Sequence, residues 1–260
     1  MRSCILPVMM KLTGHVHVAP DMEQLFEDLG NALLGAAQRA VRERGVFHLA
    51  LSGGGTPEPF YIRMVTDPKF RAFPWEQTHV WIVDERCVPE DHEKSNIKMI
   101  REAMTDHVPI KRSAVHPMPV LADDPAADYE ETLSIAFDGL KHPEVPRLDF
   151  ILLGMGGDAH TASLFPESPA LATADRWIAT NQGDRVVPPP RVTMTYPLIN
   201  HGREVVVLLV GSGKHATLKQ IEAQRATGQP DIQELPITGI DPSPNDGELT
   251  WYLDHAAANG

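Results

Sequence analysis

Four short apolar runs constrain the fold of this chain more than any other feature, because each ends abruptly in glycines or charged residues. They are Phe47–Leu51, Val80–Val83, Phe150–Leu153 and Val205–Val210. Apolar runs of this length, bounded by turn residues, are typical of buried strands. Helical periodicity separates them, so the sequence predicts an α/β fold: a doubly wound, mostly parallel sheet with helices on both faces, in a modified Rossmann-like arrangement.

Capping residues mark the expected helix boundaries. Asp21 is expected to begin a long amphipathic helix that Gly45 closes, and a further helix is expected over Pro125–Leu140. Ser95 either caps a helix or turns its hydroxyl toward a cleft. The alternating segment His15–Val18 suits an edge strand; its two imidazoles lack a third metal ligand in register, so a metal site there is disfavoured.

Charge and cysteine content exclude several classes of protein. The formal net charge is -12, which disfavours general binding to nucleic acid or to an acidic membrane. The two cysteines, Cys4 and Cys87, provide neither a disulfide framework nor a metal motif, and they fit a reducing cytoplasm. No apolar run reaches the length of a membrane span, and Met1–Leu12 is too short and interrupted for a signal peptide. We expect one soluble domain over residues 1–260.

The stretch Asp149–Ser168 contains several reactive side chains directly after a predicted strand. Its strand ends in three glycines, and the next six positions include Asp158, His160, Thr161 and Ser163. The carboxyl end of a strand in an open α/β sheet is where ligands usually bind. The alternative is a tight turn followed by a helix, with His160 merely packed or capping.

The stretch after Phe47–Leu51 is a candidate phosphate site. It reads Ser52-Gly53-Gly54-Gly55-Thr56-Pro57. Consecutive glycines let backbone N–H groups face a ligand, and we expect Thr56 to cap a helix that begins at Pro57, whose amino end favours an anion. A flexible turn remains the alternative. The spacing is not that of a dinucleotide fingerprint.

Two further strand ends carry charged groups. Asp84, Glu85 and Arg86 follow Val80–Val83, where they form either a substrate-facing cluster or a solvated loop. Gly211-Ser212-Gly213-Lys214 follows the last run and fails as a nucleotide-binding Walker loop, because Leu208 stands where a glycine is required and His215 where Ser or Thr is required. Lys214 is nevertheless well placed to bind an anion.

Two further strands are expected at Trp177–Thr180 and Val192–Thr195, and between them Arg191 adds a cation after Pro188–Pro190. Right-handed crossovers place successive strand ends on one side of a parallel sheet, so the four loops are expected to meet. Glycines and helix amino ends would hold a phosphate, and the acid, base and cation would act on the remainder of the substrate.

Five collinear pieces resemble the family of 6-phosphogluconolactonases and glucosamine-6-phosphate deaminases. They lie at Leu49–Pro57, at Val83–Pro89 followed by Ser95-Asn96, at Leu152–Pro166, at Pro188–Asn200 and at Leu208–Leu218. The sequence DAHTASLFP in the third piece, and Asp-Glu-Arg in the second, are similar to the lactonase branch.

The resemblance implies hydrolysis of 6-phosphogluconolactone in the oxidative pentose phosphate pathway, without a metal or a redox cofactor. It implies that His160 is the general base, that Asp158 orients or stabilises its imidazole, and that Arg86 stabilises the oxyanion or the sugar hydroxyls. The residues expected to bind the substrate and its phosphate are Ser52, Gly53, Gly54, Gly55, Thr56, Asp84, Arg191 and Lys214.

Two positions depart from the family pattern. Ala159 replaces a glycine between the aspartate and the histidine, and is strained by roughly 1 kcal/mol or more if the position requires positive φ. Gly55 replaces a serine. Two other functions stay open: a deaminase or isomerase in which Asp84 abstracts a proton, and a sensor without catalysis. Oligomeric state and the orientation of Glu85 also stay open.

Overall fold

The computed structural model describes residues 10–184, 186, 190–228 and 230–260. Cys4, most of the stretch weighed as a signal peptide, and the first two prolines of Pro188–Pro190 lie outside the described residues. The strands are β1 (His15–Ala19), β2 (Phe47–Leu51), β3 (Thr78–Ile82), β4 (Asp84–Arg86), β5 (Val115–His116), β6 (Phe150–Leu153), β7 (Ile178–Asn181), β8 (Arg191–Met194), β9 (Glu204–Leu209) and β10 (Glu248–Asp254). The helices are α1 (Met22–Arg44), α2 (Glu58–Thr66), α3 (Asn96–Ala103), α4 (Pro125–Ala136), α5 (Tyr196–Ile199), α6 (His215–Ala226) and α7 (His255–Asn259).

A seven-stranded parallel sheet forms the centre of the molecule. Its strand order is β1-β10-β9-β6-β2-β3-β5, and every neighbouring pair is parallel. From β2 the chain winds outward through β3 and β5, then returns to the other side of β2 as β6. The carboxyl ends of β2 and β6 therefore flank the point where the winding direction reverses, which is where open α/β sheets bind ligands.

Burial of the central strands explains their near-continuous apolar sequences. Every residue of β2 and of β6 is buried, as are five of the six residues of β9. Strands covered on both faces have no polar alternation. The predicted α/β fold with a parallel sheet is confirmed. Within the described ranges, no helix is long and apolar enough to span a bilayer.

Most of the predicted helix boundaries are confirmed. The Asp21 side chain accepts the N–H of Gln24, and Gly45 closes α1 at φ 78°. Ser95 caps α3 by accepting the N–H of Lys98. The prediction for Pro125–Leu140 was too long, because α4 ends at Ala136, shortly before two residues with positive φ.

The predicted start of the helix after the glycine run was wrong by one residue. The helix α2 begins at Glu58, Pro57 occupies its N-cap position, and no side chain caps it. Thr56 therefore precedes the helix as part of a turn. The glycine-rich turn extends further than the sequence suggested before the helical hydrogen bonds begin.

The strands expected near Trp177–Thr180 and Val192–Thr195 are confirmed as β7 and β8, but the three-stranded antiparallel sheet that they form with β4 was not predicted. It has the order β4-β8-β7, and it pairs Asp84 with Thr193 and Arg86 with Arg191. The charged cluster Asp84–Arg86 is consequently a short strand and not a loop. This small sheet places both arginines beside the carboxyl edge of the large sheet.

Candidate active site

A cleft of about 300 Å³ lies at the carboxyl ends of β2, β6 and β9, beside the small sheet. Its size is at the lower end of the range for small-molecule sites. Ten of the residues proposed from the sequence line it: Ser52, Gly53, Gly54, Gly55, Thr56, Asp84, Arg86, His160, Arg191 and Lys214. Asp158 is not among the lining residues and lies behind His160.

His160 and Asp158 form a hydrogen-bonded pair at the edge of this cleft. The distance from His160 Nδ1 to Asp158 Oδ1 is 2.5 Å. Hydrogen bonding from the imidazole is the main cause that lowers the pKa of the Asp158 carboxyl. A carboxylate accepts and does not donate, so Nδ1 carries the proton and Nε2 of the neutral ring keeps its lone pair. This tautomer is the one a general base requires.

The pair is carried by the segment Gly154–His160, which we call the base loop. The Gly156 N–H donates to the carbonyl of His160 at 2.8 Å, which closes the loop on itself. Gly156 also packs against the imidazole: a Cβ there would lie 2.2 Å from both Nδ1 and Cε1 of the ring. No other residue fits at this position without displacing the pair.

Ala159 adopts the conformation that the family's glycine would favour. Its φ is 62°, and its side chain is fully buried. The left-handed conformation costs an alanine roughly 1–2 kcal/mol. Burial of the methyl group returns about 0.8 kcal/mol, and alanine avoids glycine's entropic cost of about 0.5–1 kcal/mol. These terms nearly cancel, which explains why the turn forms with alanine.

The glycine run after β2 also lines the cleft. Gly53 lies so close to the side chain of Asn96 that a Cβ would be 1.9 Å from Asn96 Oδ1. Gly55, in contrast, has open space where a side chain would begin, and its φ is not positive. The serine of the family pattern would therefore fit at Gly55, so this departure needs no compensating change.

Two arginines are cross-strand neighbours in the small sheet. Arg86 and Arg191 are directly opposite in the β4–β8 register. Burial, followed by repulsion from Arg86, lowers the pKa of Arg191. The Arg191 guanidinium lies over the ring of Phe165, with its Cζ 5.7 Å from the centroid. An anion between two such cations would relieve their repulsion.

Lys214 supplies a third cation, from the helical turn Ser212–Lys214 that leads into α6. In the part of the chain that the structure describes, neither Lys214 nor Arg86 forms an ion pair with a carboxylate. Among the described residues that line the cleft, Asp84 alone carries a carboxylate. The local charge is thus positive, although the whole chain carries a formal charge of -12.

Asp84 and Glu85 have different roles although they are adjacent. Asp84 Oδ2 accepts a 2.6 Å hydrogen bond from the Ser163 hydroxyl, which joins the small sheet to the segment that follows the base loop. Glu85 is 1% exposed and accepts the N–H groups of Asn96 and Ile97 at the start of α3. Burial raises the pKa of Glu85. Its carboxylate faces neither the cleft nor solvent.

Sequence reasoning did not assign several residues of the cleft wall to the site. Asn96 lines the cleft and donates to the backbone carbonyl of Asp84, while the neighbouring Ser95 is turned away toward Glu85. Ser163 and Phe165 also line it. All of them lie within motifs that the sequence analysis had singled out, so their position next to proposed site residues was the available signal.

A second group of histidines lies near the amino ends of β2 and β3. His48, His79 and His116 surround Trp81, whose ring is stacked on His116 at 3.8 Å between centroids. Burial is the main cause that lowers the pKa of His48 to about 3 and that of His116 to about 4; it also lowers the pKa of His79. Among the described residues, no three His, Cys, Asp or Glu side chains are grouped as a metal site requires.

Comparison with known proteins agrees with this geometry. Residues 20–251 match the family model described as "Glucosamine-6-phosphate isomerases/6-phosphogluconolactonase". A 6-phosphogluconolactonase of Synechocystis sp. is 44% identical over 222 residues, which are 84% of this chain and 86% of that protein. A 6-phosphogluconolactonase of Nostoc sp. is 40% identical, with 93% and 96% of the two chains covered.

A solved structure has the same fold. The 6-phosphogluconolactonase from Trypanosoma cruzi superimposes with a TM-score of 0.78 at 26% sequence identity, and the match covers 96% of this chain and 98% of that one. The similarity therefore extends over the parallel sheet and the loops at its carboxyl edge, which form the cleft.

Proposed function

The chain belongs to the family of glucosamine-6-phosphate isomerases and 6-phosphogluconolactonases, and on this premise we propose how it hydrolyses 6-phosphoglucono-1,5-lactone to 6-phosphogluconate. It is a lactone hydrolase, and its reaction belongs to the oxidative pentose phosphate pathway. The observation that carries the proposed mechanism is the pairing of His160 with Asp158 beside a cleft with three cationic side chains.

His160 activates the attacking water. Its Nε2 removes a proton from water, and the resulting hydroxide forms a bond to the lactone carbonyl carbon, which pushes the carbonyl electron pair onto oxygen. The imidazolium is stabilised by the Asp158 carboxylate on Nδ1. When the oxyanion collapses, the bond between that carbon and the ring oxygen breaks, and the imidazolium returns its proton to the departing oxygen.

Arg86 stabilises the charge that develops on the carbonyl oxygen. One guanidinium nitrogen, Nη1, is held by the carbonyl of Lys94 at 2.6 Å, and this contact fixes the direction of the side chain. The Arg86 Nε is buried and lacks a hydrogen-bond partner within the described residues. A preoriented cation of this kind stabilises the negative charge of the transition state more than it stabilises the ground state.

The 6-phosphate binds beside the glycine run after β2. Its ligands in this proposal are the backbone of Gly53–Gly55, the Thr56 hydroxyl and the cations Arg191 and Lys214, with Ser52 at the start of the turn. Backbone N–H groups and cations bind phosphate oxygens through charge-assisted hydrogen bonds. Asp84, which keeps one oxygen available beside its bond to Ser163, accepts a sugar hydroxyl.

We also propose that the whole chain is one catalytic domain, that it acts in the cytoplasm, and that neither nucleic acid nor a membrane is its partner. The formal net charge of -12 supports the exclusion of polyanionic partners. The substrate anion is recognised by local cations in the cleft and not by the field of the whole molecule.

Acid release from freshly prepared 6-phosphogluconolactone tests this function. We expect acceleration above the spontaneous opening, which is subtracted, and no ammonia release from glucosamine 6-phosphate. Release of ammonia would favour the deaminase. Binding of 6-phosphogluconate without faster lactone hydrolysis would favour a sensor. Either outcome would overturn the proposal.

A further inference from the structure

The amino-terminal end of α6 holds the base loop through two hydrogen bonds. Lys214 Nζ donates to the carbonyl of Met155 at 2.6 Å, and Thr217 Oγ1 donates to the carbonyl of Gly157 at 2.8 Å. Lys214 directly precedes α6, and Thr217 lies in its first turn. One helix end therefore fixes two carbonyls that flank Gly156, the residue against which the catalytic imidazole packs.

The peptide group between Met155 and Gly156 is held on both sides. Its oxygen accepts from Lys214, and its N–H donates to the carbonyl of His160 at 2.8 Å. Because the peptide group is planar, these two bonds fix its orientation. Rotation of this plane would move the Gly156 Cα, which contacts the imidazole of His160 so closely that no Cβ fits.

We propose that Lys214 and Thr217 are positioning residues for His160, which extends the role of Lys214 beyond that of a phosphate ligand and rests on the function proposed above. An ammonium group has three N–H donors. The Met155 carbonyl occupies one, and the other two remain for phosphate oxygens. The same side chain thus links phosphate binding to the orientation of the base.

The competing interpretation is that Lys214 only binds the substrate anion and that its contact with Met155 has no consequence. The two interpretations differ in the free protein, before any substrate is present. If Lys214 positions the base loop, its removal loosens the Met155–Gly156 peptide in the absence of ligand. If it is an anion ligand alone, the loop is unchanged.

Amide hydrogen exchange at Gly156 distinguishes them. The variant Lys214→Met keeps the aliphatic stem and removes the donors, and we expect Gly156 to exchange roughly tenfold faster or more, because a hydrogen bond from a charged group is lost. Loss of a cation alone would slow base-catalysed exchange, since it lowers the local hydroxide concentration. Faster exchange at Gly156 would therefore indicate that the base loop has loosened and would not be explained by the loss of charge.

Arg86→Met is the matched control, because it removes a cation from the same cleft without touching a carbonyl of the base loop. Its Gly156 amide should not exchange faster than that of the unmodified protein. Unchanged or slower exchange in Lys214→Met would overturn the proposal. This measurement uses no substrate, so its result is independent of whether the proposed lactone hydrolysis occurs.

Thr217→Val separates positioning from phosphate binding by a kinetic measurement. Thr217 is 5% exposed and does not line the cleft, and valine retains its shape. We expect kcat for 6-phosphogluconolactone to fall roughly tenfold with KM unchanged, and Thr217→Ser to restore it. An unchanged kcat in Thr217→Val, with the fold verified by thermal unfolding, would contradict the proposal.

Discussion

Histidines occur at both edges of the same parallel sheet, in opposite environments. At the carboxyl edge, His160 is about one-third exposed, and its Nδ1 bonds to the Asp158 carboxylate. Near the amino edge, His48 is 7% exposed and packs on the ring of Phe137 at 4.3 Å between centroids. The first imidazole has a carboxylate partner, and among the described residues the second imidazole has none.

The difference shows that the hydrogen-bonding partner of a histidine and its access to solvent decide whether it can act as a base. Burial and the neighbouring histidines lower the pKa of His48 to about 3, so it stays neutral throughout the physiological range. A neutral ring enclosed by aromatic side chains contributes packing and one hydrogen bond, from Trp81 Nε1 at 3.2 Å. A general base must both reach the substrate and tolerate the charge it acquires.

The largest effect expected from this comparison is the loss of activity on removal of the cleft histidine. His160→Gln should lower kcat for 6-phosphogluconolactone by about 100-fold or more, because it removes the proposed general base. The matched control is His79→Gln at the other edge, which should keep kcat within about twofold. Comparable losses in both variants would remove the distinction between the two groups.

Gly156→Ala tests whether the exposed pair depends on its close packing. A methyl group here would overlap the imidazole of His160 and the carboxylate of Asp158, so the pair must move. We expect kcat to fall roughly tenfold to a hundredfold, since small misplacements of catalytic groups have effects of this size. A kcat equal to that of the unmodified protein would show that the observed pairing is not needed for turnover.

The pH dependence of stability tests the other member of this comparison, the buried His48. The pKa of His48 is lowered from 6.5 in the folded state, so the unfolded chain binds a proton that the folded chain does not. The contribution of neutral His48 to the free energy of unfolding is therefore complete above pH 6.5 and is lost as the pH falls below that value. His48→Gln should therefore reduce the loss of unfolding free energy between pH 6 and pH 5 by about 1 kcal/mol.

Urea unfolding of both proteins at the two pH values measures this difference. The glutamine retains an acceptor for Trp81 but does not titrate. Equal pH dependence in the two proteins would mean that His48 is not held neutral by the fold.

Ala159→Gly should have the smallest effect. Relief of the strained φ is opposed by loss of a buried methyl group and by the entropy of glycine, so the free energy of unfolding should change by less than about 1 kcal/mol. Thermal unfolding measures it. A stabilisation well above this limit would mean that the base loop carries strain that the methyl group does not offset.

The sequence was sufficient to predict that the four loops meet, because parallel strands place their carboxyl ends on one edge. The location of Gly53, His160 and Lys214 follows from that rule and from the short apolar runs. It was also sufficient to pose the question at Ala159, since a glycine at that point in the family pattern suggested positive φ.

The strand β4 and its pairing with β8 were beyond prediction for a physical reason. The strand β4 consists of three charged residues without apolar alternation, and its partner β8 lies about a hundred residues further along the chain. Glu85 was equally misleading, since a charge at a strand end suggested solvent or substrate. Instead it accepts the first N–H groups of α3, which only the three-dimensional path of the chain reveals.

The most direct test of the central claim is a double-mutant cycle in kcat between His160 and Asp158. Four proteins are compared on freshly prepared 6-phosphogluconolactone: the unmodified chain, His160→Gln, Asp158→Asn, and the combination. If Asp158 acts through His160, the double variant will be no slower than His160→Gln alone. If the two losses multiply, the carboxylate acts independently of the imidazole, and the proposed pair is not the catalytic unit.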